Sequence, residues 1–375
     1  MIYLDYSANT PVDARVLEQF CAVERRCIGN ANSHHQAGSA AKAEIDAATI
    51  KIASLLGVQP AEIIYTSGAS EANNFALKGL ARLSRHAGRH IISTPLEHSS
   101  VSGTLTALQE QGYEIDLLDV KQDGTVDLEH LKDLLRPDTI CVAVTLVDSE
   151  LGVVQPVQEI AAILKAYPHC HLHVDATQAV GKIPVSFEGV DTMSLTAHKF
   201  YGLNGIGLLI KRRNLALEPL IHGGESTTIY RSGTPTVALA SSLACALDLA
   251  LIDLPNRVDH VAKLNTELRA ALSIYPLVRI NSPDHAIPHV LNLSVRNVKG
   301  TVFQRELDAK GVCVSVKSAC SSDGLPSRAV FAVSRDRRNA LSSWRISLSH
   351  LTTEDEIKAF LQAFDACYRE LTAVH

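Results

Sequence analysis

Two residues of this chain combine a nucleophilic side chain with favourable neighbours: Lys199 and Cys320. Lys199 lies between a short apolar run and the glycine-rich stretch 202–207, so we expect it on a turn with little side-chain cover. An amine in that setting can lose its proton and attack a carbonyl. Cys320 lies among small polar residues, where a thiolate would be accessible, although a tolerated surface cysteine is the alternative.

Residues that could hold an aromatic, phosphorylated aldehyde beside that lysine occur at several other points. In the stretch 66–73, small residues including Ala69 and Ser70 let backbone N–H groups approach a phosphate at the start of a helix. Asp175 ends an apolar run and could keep a pyridine nitrogen protonated, and Gln178 could reach a ring hydroxyl. The alternatives are a serine helix cap at the first position and an aspartate turn cap at the second.

Three more side chains complete the predicted cofactor site. His98 could stack on the ring and move protons near neutral pH, unless it is a surface-loop histidine. Thr196 and His198 could hold the phosphate, so the set predicts pyridoxal phosphate bound through Lys199.

Arg345 lies in an apolar run and needs an anionic partner, which is either a substrate carboxylate or a structural salt bridge.

The run His169-Cys-His-Leu-His173 has the composition of a metal site. No matching Cys/His group follows at ligand spacing, and Asp175 continues the same strand face into the predicted cofactor site. We therefore expect no bound metal.

The elements that position these residues alternate along the chain. Helical patterns cover 37–56 and 70–84, and between and after them come seven short apolar runs. The runs are 62–66, 90–93, 115–118, 139–146, 171–174, 192–195 and 205–210. This alternation predicts an α/β fold with a mostly parallel, seven-stranded sheet. Ligands of such sheets bind beyond the carboxyl ends of the strands, where Ser67, Asp175 and Lys199 fall.

A smaller α+β region is expected to follow the sheet. The pattern at 237–272 predicts one long helix that leads into it. We predict a large cofactor-binding domain at 13–254 and a small domain formed by 1–12 and 255–375. The small domain's predicted elements are strands at 290–293, 312–316 and 344–348 and helices near 301–310 and 353–371.

Composition favours an ordinary globular protein of the cytoplasm. The chain has 375 residues, of which 46% are hydrophobic and 20% charged, which is enough for two domains. A net charge of −5 disfavours direct nucleic-acid binding. No apolar run is long enough to span a membrane, and the start of the chain lacks a basic leader. Eight scattered cysteines favour reduced thiols over a disulfide framework.

Taken in order, these residues resemble the cysteine desulfurases, a branch of the fold-type I pyridoxal-phosphate transferases. The resemblance runs nearly end to end. It rests on Tyr3–Pro11, Gly29-Asn30 with Ser33, Thr66–Asn73, Glu97-His98, Glu150–Gly152 with Gln155-Pro156, Asp175–Gln178, His198-Lys199, Arg231–Thr234, Ser318-Ala-Cys320 and Arg345.

The resemblance implies a reaction and a set of roles. L-cysteine would become L-alanine, with Arg345 holding the substrate carboxylate and with Lys199 and His98 moving protons. Cys320 would take the sulfur as a persulfide and carry it to an acceptor protein on a long loop of the iron–sulfur-assembly type. The family's homodimer would let Thr234 reach the cofactor phosphate of the neighbouring subunit.

The sequence also departs from the family pattern. Residues 148–150 read Asp-Ser-Glu where Asn-Asn-Glu is usual, so Ser149 would either contact cofactor and substrate with its shorter side chain or not take over this role. Lys317 is expected to stabilise the Cys320 thiolate. The departures favour a DNA-phosphorothioation or tRNA-thiolation acceptor over iron–sulfur cluster assembly. The alternatives are a selenocysteine lyase or related class V aminotransferase, and a degenerate scaffold without activity.

Overall fold

The computed structural model describes residues 1–224, 226–317 and 325–373. Cys320, the predicted persulfide carrier, lies outside the described residues. The strands are β1 Ile2–Tyr3, β2 Ile63–Thr66, β3 His90–Ser93, β4 Glu114–Leu117, β5 Thr139–Thr145, β6 His171–Asp175, β7 Thr192–Thr196, β8 Gly207–Lys211, β9 Val278–Ile280, β10 Val290–Val295, β11 Val312–Cys313 and β12 Ser343–Ser347. The helices are α1 Ala14–Arg26, α2 Gln36–Leu56, α3 Ala69–Leu83, α4 Ser99–Gln109, α5 Leu128–Leu134, α6 Val157–Leu164, α7 Val237–Leu251, α8 Leu254–Leu272, α9 Gly300–Ala309, α10 Arg328–Ser334, α11 Arg337–Ser342 and α12 Glu354–Thr372.

A seven-stranded sheet forms the centre of the molecule, which confirms the predicted α/β class. Its strand order is β2-β8-β7-β6-β5-β3-β4. The strands β4, β3, β5, β6 and β7 pair in parallel, whereas β8 runs antiparallel to both β2 and β7. Every residue of β5 is buried, as expected of a strand covered by helices on both faces.

The predicted strand at 205–210 begins two residues later than expected. Gly205 has a φ of +84°, a left-handed turn conformation that a strand residue does not adopt, so the strand starts at Gly207. Position 207 also requires a glycine, because a Cβ there would lie 2.7 Å from the Cα of Gly68. Its missing side chain lets the loop after β2 pack directly on β8.

The single long helix predicted at 237–272 is wrong. Two helices, α7 and α8, occupy this stretch and are bent by 64° at the break between them. Pro255 lies in the first turn of α8, where its missing N–H costs nothing, whereas in a continuous helix its ring would clash with the carbonyl of Leu251. Among the described residues, no single helix is long and apolar enough to cross a membrane, and only this bent pair passes a test of length and composition.

A second hydrophobic core lies around two smaller sheets. In these sheets β12, β10 and β9 pair in that order, and β1 pairs in parallel with β11. Phe303 stacks on Trp344 and packs at a tilt against Phe364 in this core, and Leu4 is also buried in it. The predicted strand at 312–316 is shorter, because only Val312–Cys313 pairs with β1. The domain boundaries at 12/13 and 254/255 stay a prediction.

Candidate active site

One cavity of about 330 Å³ opens at the carboxyl ends of the central strands. Its lining includes ten of the twelve residues predicted for the site, and their individual roles stay predictions. The ten residues are Ala69, Ser70, His98, Ser149, Asp175, Gln178, Thr196, His198, Lys199 and Arg345. Thr234 lines a different, smaller cavity, as expected if it serves a neighbouring subunit, and Cys320 lies outside the described residues.

Lys199 is held by the N-terminal segment of the chain. It ends a single helical turn after β7, and its Nζ donates to the carbonyl of Ser7 at 2.8 Å and to that of Ala8 at 2.6 Å. The same segment is tied to this turn by Thr10, whose N–H and hydroxyl both donate to the carbonyl of His198. Sequence reasoning missed this clamp, since its acceptors are backbone carbonyls without a side-chain signature.

Asp175 is fixed at the end of β6 by hydrogen bonds to both carboxylate oxygens. Oδ1 accepts the N–H of Thr177 at 2.9 Å, and Oδ2 accepts Nδ2 of Asn73 at 2.8 Å. The residue is only 4% exposed. A carboxylate held in this way can face the nitrogen of a pyridine ring without rotating.

His98 caps the N-terminus of α4 with its own ring. Its Nδ1 accepts the backbone N–H of Ser100 at 3.1 Å and lies 2.9 Å from the Ser100 hydroxyl. Burial lowers the pKa of His98, and the cations Lys199 and Arg328 act in the same direction while Asp175 opposes them. The imidazole is therefore held in its neutral form with its other nitrogen, Nε2, left to act.

The residues predicted to bind the phosphate come from the loop before α3 and from the end of β7 and the turn after it. Ser67, Ala69 and Ser70 line the cavity at the start of α3, where the helix dipole favours an anion. Across from them, Nδ1 of His198 lies 3.1 Å from the Thr196 hydroxyl. Burial, followed by the charges of the neighbouring lysines, lowers the pKa of His198 to about 4, so this ring is a neutral hydrogen-bonding group.

Arg345 reaches the cavity from β12 and is only 1% exposed. Its guanidinium donates to Oδ1 of Asp5 at 2.9 Å and to the carbonyl of Ser149 at 2.7 Å. Its Nε is buried and has no hydrogen-bond partner among the described residues. The structural salt bridge that the sequence left as an alternative is thus present, and Arg345 also lines the cavity.

Three buried carboxyl groups lie next to the cavity. Burial raises the pKa of Glu97 to about 8 and that of Asp148 to about 7, and it also raises the pKa of Glu150. Oε2 of Glu97 and Oδ1 of Asp148 have no hydrogen-bond partner among the described residues. The sequence identified Glu97 and Glu150 only as family-like residues and gave no signal of their burial.

The residues present fit pyridoxal phosphate. The cavity lining combines an acid, an amine, an imidazole and the start of a helix, whose dipole favours an anion. The hydroxyls of Ser7 and Thr177 line the same cavity and are buried without a hydrogen-bond partner among the described residues. Orphaned buried donors of this kind are satisfied when a polar ligand enters.

Comparison with known proteins agrees with this geometry. The model of the aminotransferase class-V family matches residues 2–360. Cysteine desulfurase IscS of Proteus mirabilis strain HI4320 is 40% identical over 365 residues, covering 95% of this chain and 90% of the relative. A solved NifS-like protein superimposes with a TM-score of 0.92 at 35% identity, covering 99% of both chains.

Two further solved structures are similar over most of the chain. SspA in complex with cysteine has a TM-score of 0.83 at 30% identity, with coverage of 94% of this chain and 100% of the other. DndA from Streptomyces lividans has a TM-score of 0.79 at 34% identity, with coverage of 92% and 99%. Fold, cavity and relatives together place the chain in the class-V aminotransferase family, among its cysteine desulfurases, with pyridoxal phosphate as cofactor.

Proposed function

We propose that this chain removes the sulfur of L-cysteine, releases L-alanine and keeps the sulfur as a persulfide on Cys320. One observation carries the proposal: the residues on either side of the segment 318–324, Lys317 and Leu325, both line a cavity of about 320 Å³. That cavity shares Leu96, His98 and Ser149 with the cofactor cavity. The segment that bears Cys320 is therefore joined at both ends to residues that lie beside the predicted reaction centre.

Substrate binding is assigned to Arg345. A guanidinium that already donates to Asp5 and to the Ser149 carbonyl is fixed in orientation, and its residue lines the cofactor cavity. A substrate carboxylate would be recognised by charge-assisted hydrogen bonds from this group. The solved relative that holds cysteine supports the choice of amino acid.

Proton transfer is assigned to Lys199 and His98. Pyridoxal phosphate, when bound, supplies an electron sink that weakens the bonds at the α-carbon of an amino acid. Lys199 and His98 line the same cavity, so an amine and a neutral imidazole can remove a proton at the α-carbon and return one to carbon. The Ser7 and Ala8 carbonyls hold the amine in place before it acts.

Sulfur transfer is assigned to Cys320. Its thiolate would form a bond to the substrate sulfur while the substrate C–S bond breaks. The electron pair of that bond stays with the carbon, which takes a proton and becomes the methyl group of alanine. The transferred sulfur remains on Cys320 until an acceptor takes it.

The acceptor and the assembly are proposals of the same kind. The candidate acceptors belong to DNA phosphorothioation, tRNA thiolation or iron–sulfur assembly, and the similarity to DndA supports the first.

A homodimer is proposed because Thr234 lies outside the cofactor cavity of its own chain. Light scattering of the purified protein should give twice the chain mass, and a monomer would contradict the dimer. A cytoplasmic location completes the proposal.

The test separates cofactor chemistry from sulfur capture. Incubation of the wild-type protein with L-cysteine and a thiol reductant should yield alanine and sulfide in equal amounts. Cys320→Ala should lose sulfide release yet keep the yellow cofactor absorbance, while Cys27→Ala, a half-buried thiol in α1's cap, should behave as wild type. Sulfide production by Cys320→Ala at the wild-type rate would overturn the assignment.

A further inference from the structure

A buried asparagine joins the acid and the histidine of the site. Asn73 lies in α3, is 0% exposed and was predicted only as part of a helix-start motif. Its Nδ2 donates to Oδ2 of Asp175 at 2.8 Å and to the Ser100 hydroxyl at 2.9 Å. Ser100 is the residue whose N–H and hydroxyl contact Nδ1 of His98. One amide group therefore lies between the two side chains.

The orientation of this amide is fixed by its neighbours. Oδ1 of Asn73 accepts the Ser194 hydroxyl and lies 3.0 Å from Nε2 of His173. Burial lowers the pKa of His173 to about 4, so its ring is neutral. A flipped amide would set its oxygen against Oδ2 of the Asp175 carboxylate, acceptor against acceptor. With Oδ1 of Asn73 facing His173, the proton of that ring belongs on Nε2, and Nδ1, 2.9 Å from the Thr192 hydroxyl, accepts from it. All four hydrogen-bonding positions of Asn73 are thus used.

The direction in which the Ser100 hydroxyl donates follows from the same contacts. Because its oxygen accepts from Asn73, its hydrogen is available for Nδ1 of His98. The backbone N–H of Ser100 points at that nitrogen too. With two donors facing Nδ1, the proton of neutral His98 belongs on Nε2, the nitrogen turned away from Ser100.

We infer that Asn73 is a positioning residue of the desulfurase: it holds Asp175 directly and, through the Ser100 hydroxyl, keeps His98 as the Nε2–H tautomer. His98 then enters the reaction as a hydrogen-bond donor at Nε2 and takes a proton only when the local charges change. Those charges are Asp175 on β6, Lys199 after β7 and Arg328 on α10. The inference rests on the proposed function for its meaning in catalysis, whereas the tautomer is a property of the protein alone.

The test is ¹⁵N NMR of histidine-labelled protein, with and without pyridoxal phosphate, across pH. In the wild type, the His98 signals should be those of a neutral ring with the proton on Nε2. Asn73→Asp is nearly isosteric but replaces two N–H donors by acceptors. The Ser100 hydroxyl should then turn to the new carboxylate and leave its lone pairs for Nδ1–H, so the pKa of His98 should rise by about one unit or more.

Two further variants keep the test decisive. Ser100→Ala removes the hydroxyl that joins Asn73 to His98 and leaves the Asn73–Asp175 bond. It should raise the pKa of His98 by less and leave cofactor absorbance unchanged, and it decides the matter if Asn73→Asp fails to fold by circular dichroism. Asn292→Asp, at another fully buried asparagine, is the matched control and should leave the His98 signals unmoved.

The outcomes are distinct. A proton on Nδ1 in the wild type, or a His98 pKa unchanged in both Asn73→Asp and Ser100→Ala, overturns the inference. A wild-type protein with the Nε2–H tautomer and no alanine formation would instead overturn the proposed function and leave the positioning role standing.

Discussion

The two walls of the cavity differ in how completely their polar groups are hydrogen-bonded. The cofactor wall consists of His98, Asp175 and Lys199, which line the cavity, together with Asn73, which is buried behind them. On it, Asn73 uses all of its hydrogen-bonding positions, and both carboxylate oxygens of Asp175 are bonded. Lys199 is held by two backbone carbonyls. Asn73, Asp175 and Lys199 are thus held before any ligand arrives, whereas the nearby Ser7 and Thr177 hydroxyls, without a partner among the described residues, gain one when the cofactor enters.

The substrate wall consists of Ser149 and Arg345, which line the cavity, together with Asp148, which is buried behind them. Here Oδ1 of Asp148 and Nε of Arg345 are buried without a hydrogen-bond partner among the described residues. A polar group that is buried without a hydrogen-bond partner destabilises the folded protein by about 1–3 kcal/mol. Arg345 lines the cavity, so a bound carboxylate can accept further hydrogen bonds from its guanidinium.

The contrast separates two kinds of site within one cavity. A cofactor that stays bound through many turnovers is served by a wall already set in its final geometry. A substrate that enters and leaves in each cycle is served by groups that gain partners on binding. Variants on the two walls should consequently differ in what they change.

The largest effect is expected on the cofactor wall. Lys199→Ala removes the amine that binds the cofactor and moves protons, so kcat/KM for L-cysteine should fall by about 10³-fold or more. The variant should no longer attach pyridoxal phosphate covalently, as measured by mass after borohydride reduction. Lys165→Ala, at an exposed helix end, is the control. Retained covalent attachment in Lys199→Ala would contradict the role.

A smaller effect, of a different kind, is expected on the substrate wall. Arg345→Lys keeps the charge but loses the planar fork of donors, so KM for L-cysteine should rise about 10- to 100-fold. Cofactor absorbance should stay as in the wild type, because Asp175 and Lys199 are untouched. A changed absorbance with an unchanged KM would reverse the assignment of the two walls.

The burial of Asp148 in the substrate wall should be visible in the pH dependence of the free energy of unfolding. The folded pKa of Asp148, about 7, lies above the unfolded value of about 3.9, so the folded state binds the extra proton between these pH values. Stability is then lost as pH rises through this window. Asp148→Asn keeps an acceptor for the N–H groups of Glu150 and Leu151 and cannot ionise.

The Asp148→Asn protein should therefore be more stable than the wild type at pH 8, by on the order of 1–3 kcal/mol, and equal to it near pH 4. Urea unfolding at several pH values measures the difference. Glu97 titrates in both proteins, so subtracting the two curves isolates Asp148 to first order. A difference that grows toward acid pH would contradict the sign.

The smallest effect is expected at Lys317. It lines the cavity beside the Cys320 segment, and its ammonium should favour the thiolate. Lys317→Gly should raise the pKa of the Cys320 thiol by about 0.5 unit, since one lysine three residues away in the sequence has a modest effect on a thiol. The rate of alkylation by iodoacetamide against pH measures this, and Lys317→Arg should match the wild type. Overlapping profiles of wild type and Lys317→Gly would remove the role.

Much of the fold could be predicted because its signals are local. The seven apolar runs of the central sheet have the length and composition of buried strands, and each was placed within a residue or two. The break between α7 and α8 was missed because the apolar pattern continues across it. Pro255 was the available signal, since a proline at that point ends one helix or starts the next.

The site was predictable where function demands a side-chain type at a strand end, as at Asp175 and Lys199. It was not predictable where the partner is far away in the sequence. Asp5 meets Arg345 across 340 positions, and the carbonyls that hold Lys199 lie more than 190 positions away. Asn73 gave no distinctive signal, since an asparagine inside a helix is more often an exposed polar residue.

The central claim is that cofactor and thiol act together, and the most direct measurement follows the sulfur itself. The purified protein, loaded with pyridoxal phosphate, is treated with L-cysteine without reductant, alkylated and digested for mass spectrometry. The peptide with Cys320 should gain one sulfur atom, in step with the alanine released, and Lys199→Ala should show neither. Alanine released with no added sulfur on Cys320, or added sulfur on another cysteine, would contradict the account.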